Sequence, residues 1–159
     1  MIFVLSGNYL GRLIDKRIET LNSAVLLIKE IKTRINYQKI SLYEIINDIL
    51  SEGPYRQFSE LKKTELYVSD GMSFSDSWSK CVDESAELRV LKNDERALLK
   101  SFAKQLGASD MEGQNENFDT YTELISQKAK LLEKDRLNRV KLCNSIGLLL
   151  GITTFILFY

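Results

Sequence analysis

The sequence contains no histidine. That removes the commonest general base, the commonest metal ligand and the usual switch near neutral pH. Cysteine is almost as scarce: Cys81 and Cys143, far apart, are the only two. Two cysteines without histidine complete no zinc site and build no disulfide framework. Cys81 lies in an apolar-periodic stretch and reads as a small core residue. Cys143 stands at the mouth of the terminal apolar run, where it is apolar filler or a lipidation site. With one proline and eight glycines, the chain has few of the residues that interrupt helices. Charge of one sign is not in excess either: 22 basic and 22 acidic residues cancel. A nucleic-acid binder usually shows a basic surplus, so nucleic acid is not the expected partner.

The motifs of common catalytic sites are missing too. There is no phosphate-binding loop with its lysine, no GxGxxG after a strand and no GxSxG. Glu84, Glu87, Asp94 and Glu95 are close enough in sequence to suggest carboxylate pairs. Their setting on polar faces or in loops assigns them to solvation of the surface. The expectation is a protein that is not an enzyme and that has no catalytic residue, metal or cofactor.

What is present is helical periodicity. The 159 residues suffice for one domain with a real core. An apolar opening, residues 2–11, precedes a basic stretch with Arg12, Lys16 and Arg17. At about ten residues, or roughly 15 Å of helix, it is too short to span a ~30 Å hydrocarbon core. It lacks the features of a signal peptide. It is either the end of a longer apolar helix or a short interfacial piece. From Leu13 to about Asn36, Ile14, Ile18, Leu21, Val25, Ile28 and Ile35 form a stripe that Ala24, Leu27 and Ile31 widen. A stripe this broad packs against more than one neighbour.

Ser41 with Glu44 is a capping box that opens a second helix, with Leu42, Ile45, Ile46 and Ile49 on its buried face. Gly53-Pro54 ends it, and a third helix carries Tyr55, Phe58, Leu61 and Leu66. Asp70-Gly71 is a turn. Ser73 with Asp76 caps a fourth helix whose face holds Phe74, Trp78, Cys81 and Val82. Asn93 is placed to cap a fifth, with Ala97, Leu98, Phe102 and Leu106 inward and Gly107 as its stop. Ser109 to Glu112 forms a further capping box, after which no proline interrupts the chain. The expected fold class is all-α, an antiparallel helical bundle of about six helices, the last continuing into a C-terminal transmembrane helix.

Residues 142–159 carry that last expectation. They contain no charged side chain after Lys141, and eighteen residues make ~27 Å of helix. Leu148, Leu149, Leu150, Ile152, Phe155, Ile156, Leu157 and Phe158 cover all sides, whereas a core helix of a small domain should keep a polar face. Lys128, Lys130, Lys134, Arg136, Arg139 and Lys141 crowd the near side, and Tyr159 stands at the far end. The positive-inside tendency then puts the bundle in the cytoplasm. The other reading of this segment is a fully buried central helix. The resulting division is an apolar segment at residues 1–11, a cytoplasmic bundle at 12–141 and a membrane helix at 142–159. Gly147 and Gly151 form a GxxxG that would let a second membrane helix approach closely.

The ordered set Leu106-Gly107, Ser109-Asp110, Gln114, a long charged helix, Ser145-Ile146-Gly147 and a terminal apolar segment resembles the stage III sporulation protein AB family. Gly107, Asp110 and Gln114 are the matching motif positions. The helix Leu21 to Asn36, followed by Tyr37 and the segment from Leu42, also resembles the family's first soluble helix and its successor. Two departures stand out. A full N-terminal membrane helix is usual in the family, and only residues 2–11 could represent its end. A Thr-Pro pair usual before the second soluble helix is replaced by Lys39-Ile40-Ser41-Leu42.

The resemblance implies a cytoplasmic helical domain similar to those of the type II secretion platform protein. It also implies a place in the inner-membrane part of the channel between mother cell and forespore, in the mother-cell membrane around the forespore. Its implied partners are a cytoplasmic secretion-type ATPase, other channel membrane proteins and the lipid bilayer. The alternative is a tail-anchored helical adaptor, in which Phe118, Tyr121, Ile125 and Leu132 of the long last helix form a seam with a partner helix. The same stripe reads first as a face of the bundle's own core.

Overall fold

The computed structural model describes residues 2–37, 41–106 and 111–158, with side chains over 11–37, 41–106 and 115–138. Among the described residues every regular element is helical. Six α-helices appear there: α1 (Ile2–Tyr37), α2 (Leu42–Glu52), α3 (Thr64–Ser69), α4 (Phe74–Glu84), α5 (Asn93–Gln105) and α6 (Met111–Phe158). Two 3-10 helices, Arg56–Lys63 and Glu87–Val90, stand between them.

The frame is the pair α1 and α6. Their lengths, 36 and 48 residues, correspond to roughly 54 Å and roughly 72 Å of helix. Three polar contacts fix how they lie: Asp15–Arg136 at 2.6 Å, Lys32–Asp119 at 2.7 Å and Asn36–Asn115 at 3.1 Å. A step from Asp15 to Lys32 along α1 is matched by an equal step back from Arg136 to Asp119 along α6. The step from Lys32 to Asn36 is matched by that from Asp119 to Asn115. The two helices are therefore antiparallel and keep one register through the bundle. The apolar segment at residues 2–11 is no separate piece; it is the first turns of α1. Likewise α6 runs unbroken through residue 141 into the terminal apolar run.

The remaining helices fill the space beside this pair. From α1, Ile18, Leu21, Ala24, Leu27, Ile28 and Ile31 are buried, whereas Ile14, Val25 and Ile35 of the expected stripe are only partly so. The α2 start is the expected capping box: the Glu44 backbone N–H donates to Ser41 Oγ, and the Ser41 N–H donates to Glu44 Oε2 at 3.0 Å. Ile45, Ile46, Ile49 and Leu50 of α2 are buried. Gly53 is the C-cap of α2, where a Cβ would stand 2.6 Å from the Tyr55 ring and 2.9 Å from the Ile49 carbonyl oxygen. Gly71 takes the positive φ of 92° needed by the turn after α3. Ser73 caps α4 by accepting from the Asp76 N–H at 3.1 Å. Rings then run through the core from α4 to α6: Phe74–Trp78, Trp78–Phe102 and Phe102–Phe118, with centroids 5.9, 6.1 and 5.3 Å apart. The Trp78 indole N–H donates to the Leu99 carbonyl at 3.1 Å.

Two expectations about packing are corrected. The third expected helix begins as a 3-10 helix, and Leu66 points outward at 58 % exposure. The buried residues are Tyr55, Phe58, Leu61 and Thr64, spaced three apart. That period is the 3-10 period, which stacks every third side chain on one edge. In α5 the cap is Lys92 rather than Asn93, and the inward face is Glu95, Leu99, Phe102 and Ala103. Ala97 is exposed and Leu98 only partly buried. The helix is rotated because a carboxylate, Glu95, lies on its inner face.

Phe118 and Ile125 are buried, and Tyr121 and Leu132 pack against the same core. The stripe considered as an interchain seam is thus occupied within the chain. Among the described residues no helix is long and apolar enough to cross a membrane. The transmembrane expectation for residues 142–159 lies outside the residues whose side chains are described.

Candidate functional site

The most heavily connected polar site joins α5 to both long helices. Glu95 is the third residue of α5 and is 1 % exposed. Arg17 of α1 donates to it twice, from Nε to Oε2 at 2.7 Å and from Nη2 to Oε1 at 2.6 Å. Glu95 Oε2 also accepts from the Lys92 backbone N–H at 2.9 Å. One carboxylate therefore closes a bidentate ion pair and satisfies an end of α5 that has no intrahelical partner. Its charge is further favoured by the positive end of the helix dipole. The neighbouring Asp94 accepts from Lys128 Nζ of α6 at 2.6 Å. That hydrogen bond holds the Asp94 carboxyl below the ordinary aspartate range.

This cluster corrects the reading of the four carboxylates. Glu84 accepts from the Tyr67 hydroxyl at 2.7 Å, and Asp94 is exposed, as a surface role requires. Glu95 is buried and structural. A signal for it was present in the sequence. Arg17 continues the stripe of Leu21, Ala24, Ile28 and Ile31 one turn further back, so a cation stands where an apolar residue is expected. A cation on an apolar face calls for a carboxylate on the face it meets.

A second polar network ties α1 to the end of α2. Arg34 Nη2 donates to Glu30 and to Glu52, each at 3.0 Å, and the Tyr55 hydroxyl donates to Glu30 at 2.8 Å. Burial and the Glu30 carboxylate push the Tyr55 hydroxyl up to about 12. Cys81 is fully buried, and its thiol is raised by burial; it receives a long contact of 3.6 Å from the Thr64 hydroxyl. It is the core residue that its position in the apolar pattern suggested.

Concave surface is sparse. A groove of about 360 Å³ lies between α1 and α6, lined by Asp15, Ile18, Glu19, Leu26, Glu133 and Arg136 among others. A smaller one of about 190 Å³ is lined by Asp83, Asn93, Arg96, Ala97 and Lys100. There Lys100 pairs with Asp83 and Arg96 Nη2 donates to Asn93, while Arg96 Nε is buried with no partner among the described residues. Among the described residues no group of three or more metal-ligating side chains converges.

Gly107 and Asp110 lie outside the described residues, in the connection from α5 to α6. Gln114, Gly147 and Gly151 lie in parts of α6 whose side chains are not described, as does Cys143. The capping box expected at Ser109 to Glu112 also lies outside the described residues. The connection at 107–110 follows the end of α5 and precedes the start of α6. Asn115, in the first turns of α6, meets Asn36 near the end of α1, at the end of the bundle opposite to the meeting of Asp15 and Arg136. Tyr37, the last residue of α1, is at that same far end and is 85 % exposed.

These features define an all-helical protein built around one long antiparallel helix pair. The family model of stage III sporulation protein AB matches residues 1–159, the whole chain, and the chain belongs to that family. It is a sporulation-related protein. No curated protein and no solved structure matches it at a significant level.

Proposed function

We propose that the chain is a non-enzymatic, membrane-anchored assembly component of the sporulation channel between mother cell and forespore. In this reading it resembles the inner-membrane platform of type II secretion. It docks a cytoplasmic secretion-type ATPase and contacts other membrane proteins of the channel. The single observation that carries the reading is the register of α1 and α6. Extended along both helices, it puts residues 2–10 of α1 level with residues 141–149 of α6. Two segments rich in apolar residues thus leave the bundle at one end, and residues 142–159 supply the ~27 Å of helix that the shorter opening lacks. The family membership supplies the sporulation setting.

The opposite end, with Tyr37 and the first turns of α6, then faces the cytoplasm. That end is the proposed face for the ATPase. An exposed tyrosine suits such a face because a large rigid ring contributes contact area at small entropic loss. The test has two arms. Membranes from cells making the full chain are washed with alkaline carbonate, and the chain should stay in the pellet. Release into the supernatant overturns the anchor. The solubilised chain should also retain the ATPase in a pull-down, and Tyr37→Ala with Asp110→Ala should weaken that capture about tenfold or more, as for loss of an interface hot spot. Undiminished capture by that variant overturns the docking face.

A further inference from the structure

We propose that the neck of the molecule, where α1 and α6 approach their apolar ends, is a basic collar that binds the headgroups of anionic phospholipids. The inference rests on the membrane reading above and adds which lipids the neck selects. Its starting point is a charge separation inside a neutral chain. Residues 12–16 and 134–141 hold six cations, Arg12, Lys16, Lys134, Arg136, Arg139 and Lys141, against two carboxylates, Asp15 and Asp135. The local excess is four positive charges. Since the chain totals 22 of each sign, the rest of the molecule carries the opposite excess of four.

The structure joins these two runs into one band. Arg136 Nε meets Asp15 Oδ1 at 2.6 Å, so the run on α1 and the run on α6 stand at the same level of the helix pair. That contact also uses the Asp15 charge. Arg12, Lys16 and Lys134 are exposed, and among the described residues none has a carboxylate within ion-pair distance. Arg17, which lies within the same turns, is engaged with Glu95 and takes no part. At the same level Leu13 and Leu137 are 38 % and 55 % exposed. Leucines exposed beside unpaired cations suit an interface where hydrocarbon begins and headgroups end. Long basic side chains reach outward there to phosphates while their stems lie along apolar surface. Each such cation near an anionic bilayer multiplies local preference about fivefold at moderate salt.

The test uses the full chain in nanodiscs of equal parts phosphatidylglycerol and phosphatidylcholine. Co-elution of chain and discs reads insertion. The lipids kept by the chain after gentle release, identified by native mass spectrometry, read selection. The expected result is a ratio of phosphatidylglycerol to phosphatidylcholine on the order of ten among the retained lipids, where the bulk ratio is one. The enrichment should shrink toward bulk in about 0.5 M salt, where screening is strong. A variant with Arg12→Gln, Lys16→Gln, Lys134→Gln, Arg139→Gln and Lys141→Gln should insert as before and keep lipids in the bulk ratio. Inorganic phosphate should displace the bound lipid no better than chloride at equal ionic strength. Insertion with lipids retained in the bulk ratio overturns the collar while leaving the membrane reading intact. So does displacement specific to phosphate, which would assign the cations to a free anion. Failure of the chain to enter the discs overturns the membrane reading and the collar with it.

Discussion

Replacing Glu95 by glutamine would remove one charge from the most connected buried polar site in the protein. The side chain keeps its length, but the amide offers one acceptor oxygen where the carboxylate offers two. Arg17 presents two N–H donors at 2.7 and 2.6 Å, and the Lys92 N–H presents a third at 2.9 Å. The new NH2 group must face at least one of these donors. Arg17, only 13 % exposed at its side chain, is left charged and without a counter-charge. Breaking a buried pair in this way costs about 3–5 kcal/mol. For a chain of this size that lowers the melting temperature by roughly 6–15 °C.

Arg17→Met should cost less, about 2–3 kcal/mol, because the Lys92 N–H and the helix dipole still hold the carboxylate. The double variant Arg17→Met/Glu95→Gln loses the pair but leaves no orphaned charge. It should cost only about 1–2 kcal/mol, much less than the two single changes together. Trp78 is the single tryptophan and is 1 % exposed in the same core, so its fluorescence during urea or thermal unfolding reports all four proteins. Additive effects, or a Glu95→Gln cost below about 1 kcal/mol, would show that the pair behaves like a surface contact and refute the reasoning.

Three further outcomes follow from particular contacts. The Tyr55 hydroxyl, raised to about 12, favours the folded state while it is protonated, so its contribution is complete below the free tyrosine value near 10 and is lost as pH rises toward 12. Alkaline titration followed at 295 nm should show one of the seven tyrosines ionising last, and Tyr55→Phe should remove that step along with about 2 kcal/mol of the pH dependence of stability. Gly53→Ala must push against the Ile49 carbonyl at 2.9 Å and the Tyr55 ring at 2.6 Å; a loss of about 1–3 kcal/mol in urea unfolding is expected, and no loss would mean that the Tyr55 ring swings away freely. The thiol of Cys81 should resist a soluble thiol reagent in the folded protein and react at the rate of core opening, since it is fully buried and its ionisation is disfavoured.

The parts of the fold legible in the sequence were those where hydrophobic period and capping chemistry agree. The α1 stripe, the Ser41–Glu44 box, the Ser73 cap and the turn at Gly71 needed no knowledge of neighbours. The misreadings have one source, which is that a face was assigned from apolar residues alone. On α5, leaving Glu95 outside turned the helix until Ala97 and Leu98 seemed to point inward. Admitting one buried carboxylate restores the face of Leu99, Phe102 and Ala103. Before α3, Tyr55, Phe58, Leu61 and Thr64 repeat every three residues, and an expectation of 3.6 skipped Thr64 in favour of Leu66. Thr64 is polar but buried, with its hydroxyl directed at the Cys81 sulfur. In the candidate site Arg17 was visible as a cation on an apolar stripe, whereas its partner depended on a meeting of residues 78 positions apart.

That meeting also limits how far α1 can slide past α6. The first turn of α5 holds two adjacent carboxylates, and they face different long helices: Glu95 binds Arg17 of α1, and Asp94 binds Lys128 of α6. The first contact is buried and strong. The second is about half exposed on both sides and contributes at most about 1 kcal/mol. A slide of α1 past α6 by one turn, ~5.4 Å, would separate at least one of these pairs and would also break Asp15–Arg136 and Lys32–Asp119. Relative sliding is therefore opposed at three levels along the pair, most strongly where Arg17 is buried.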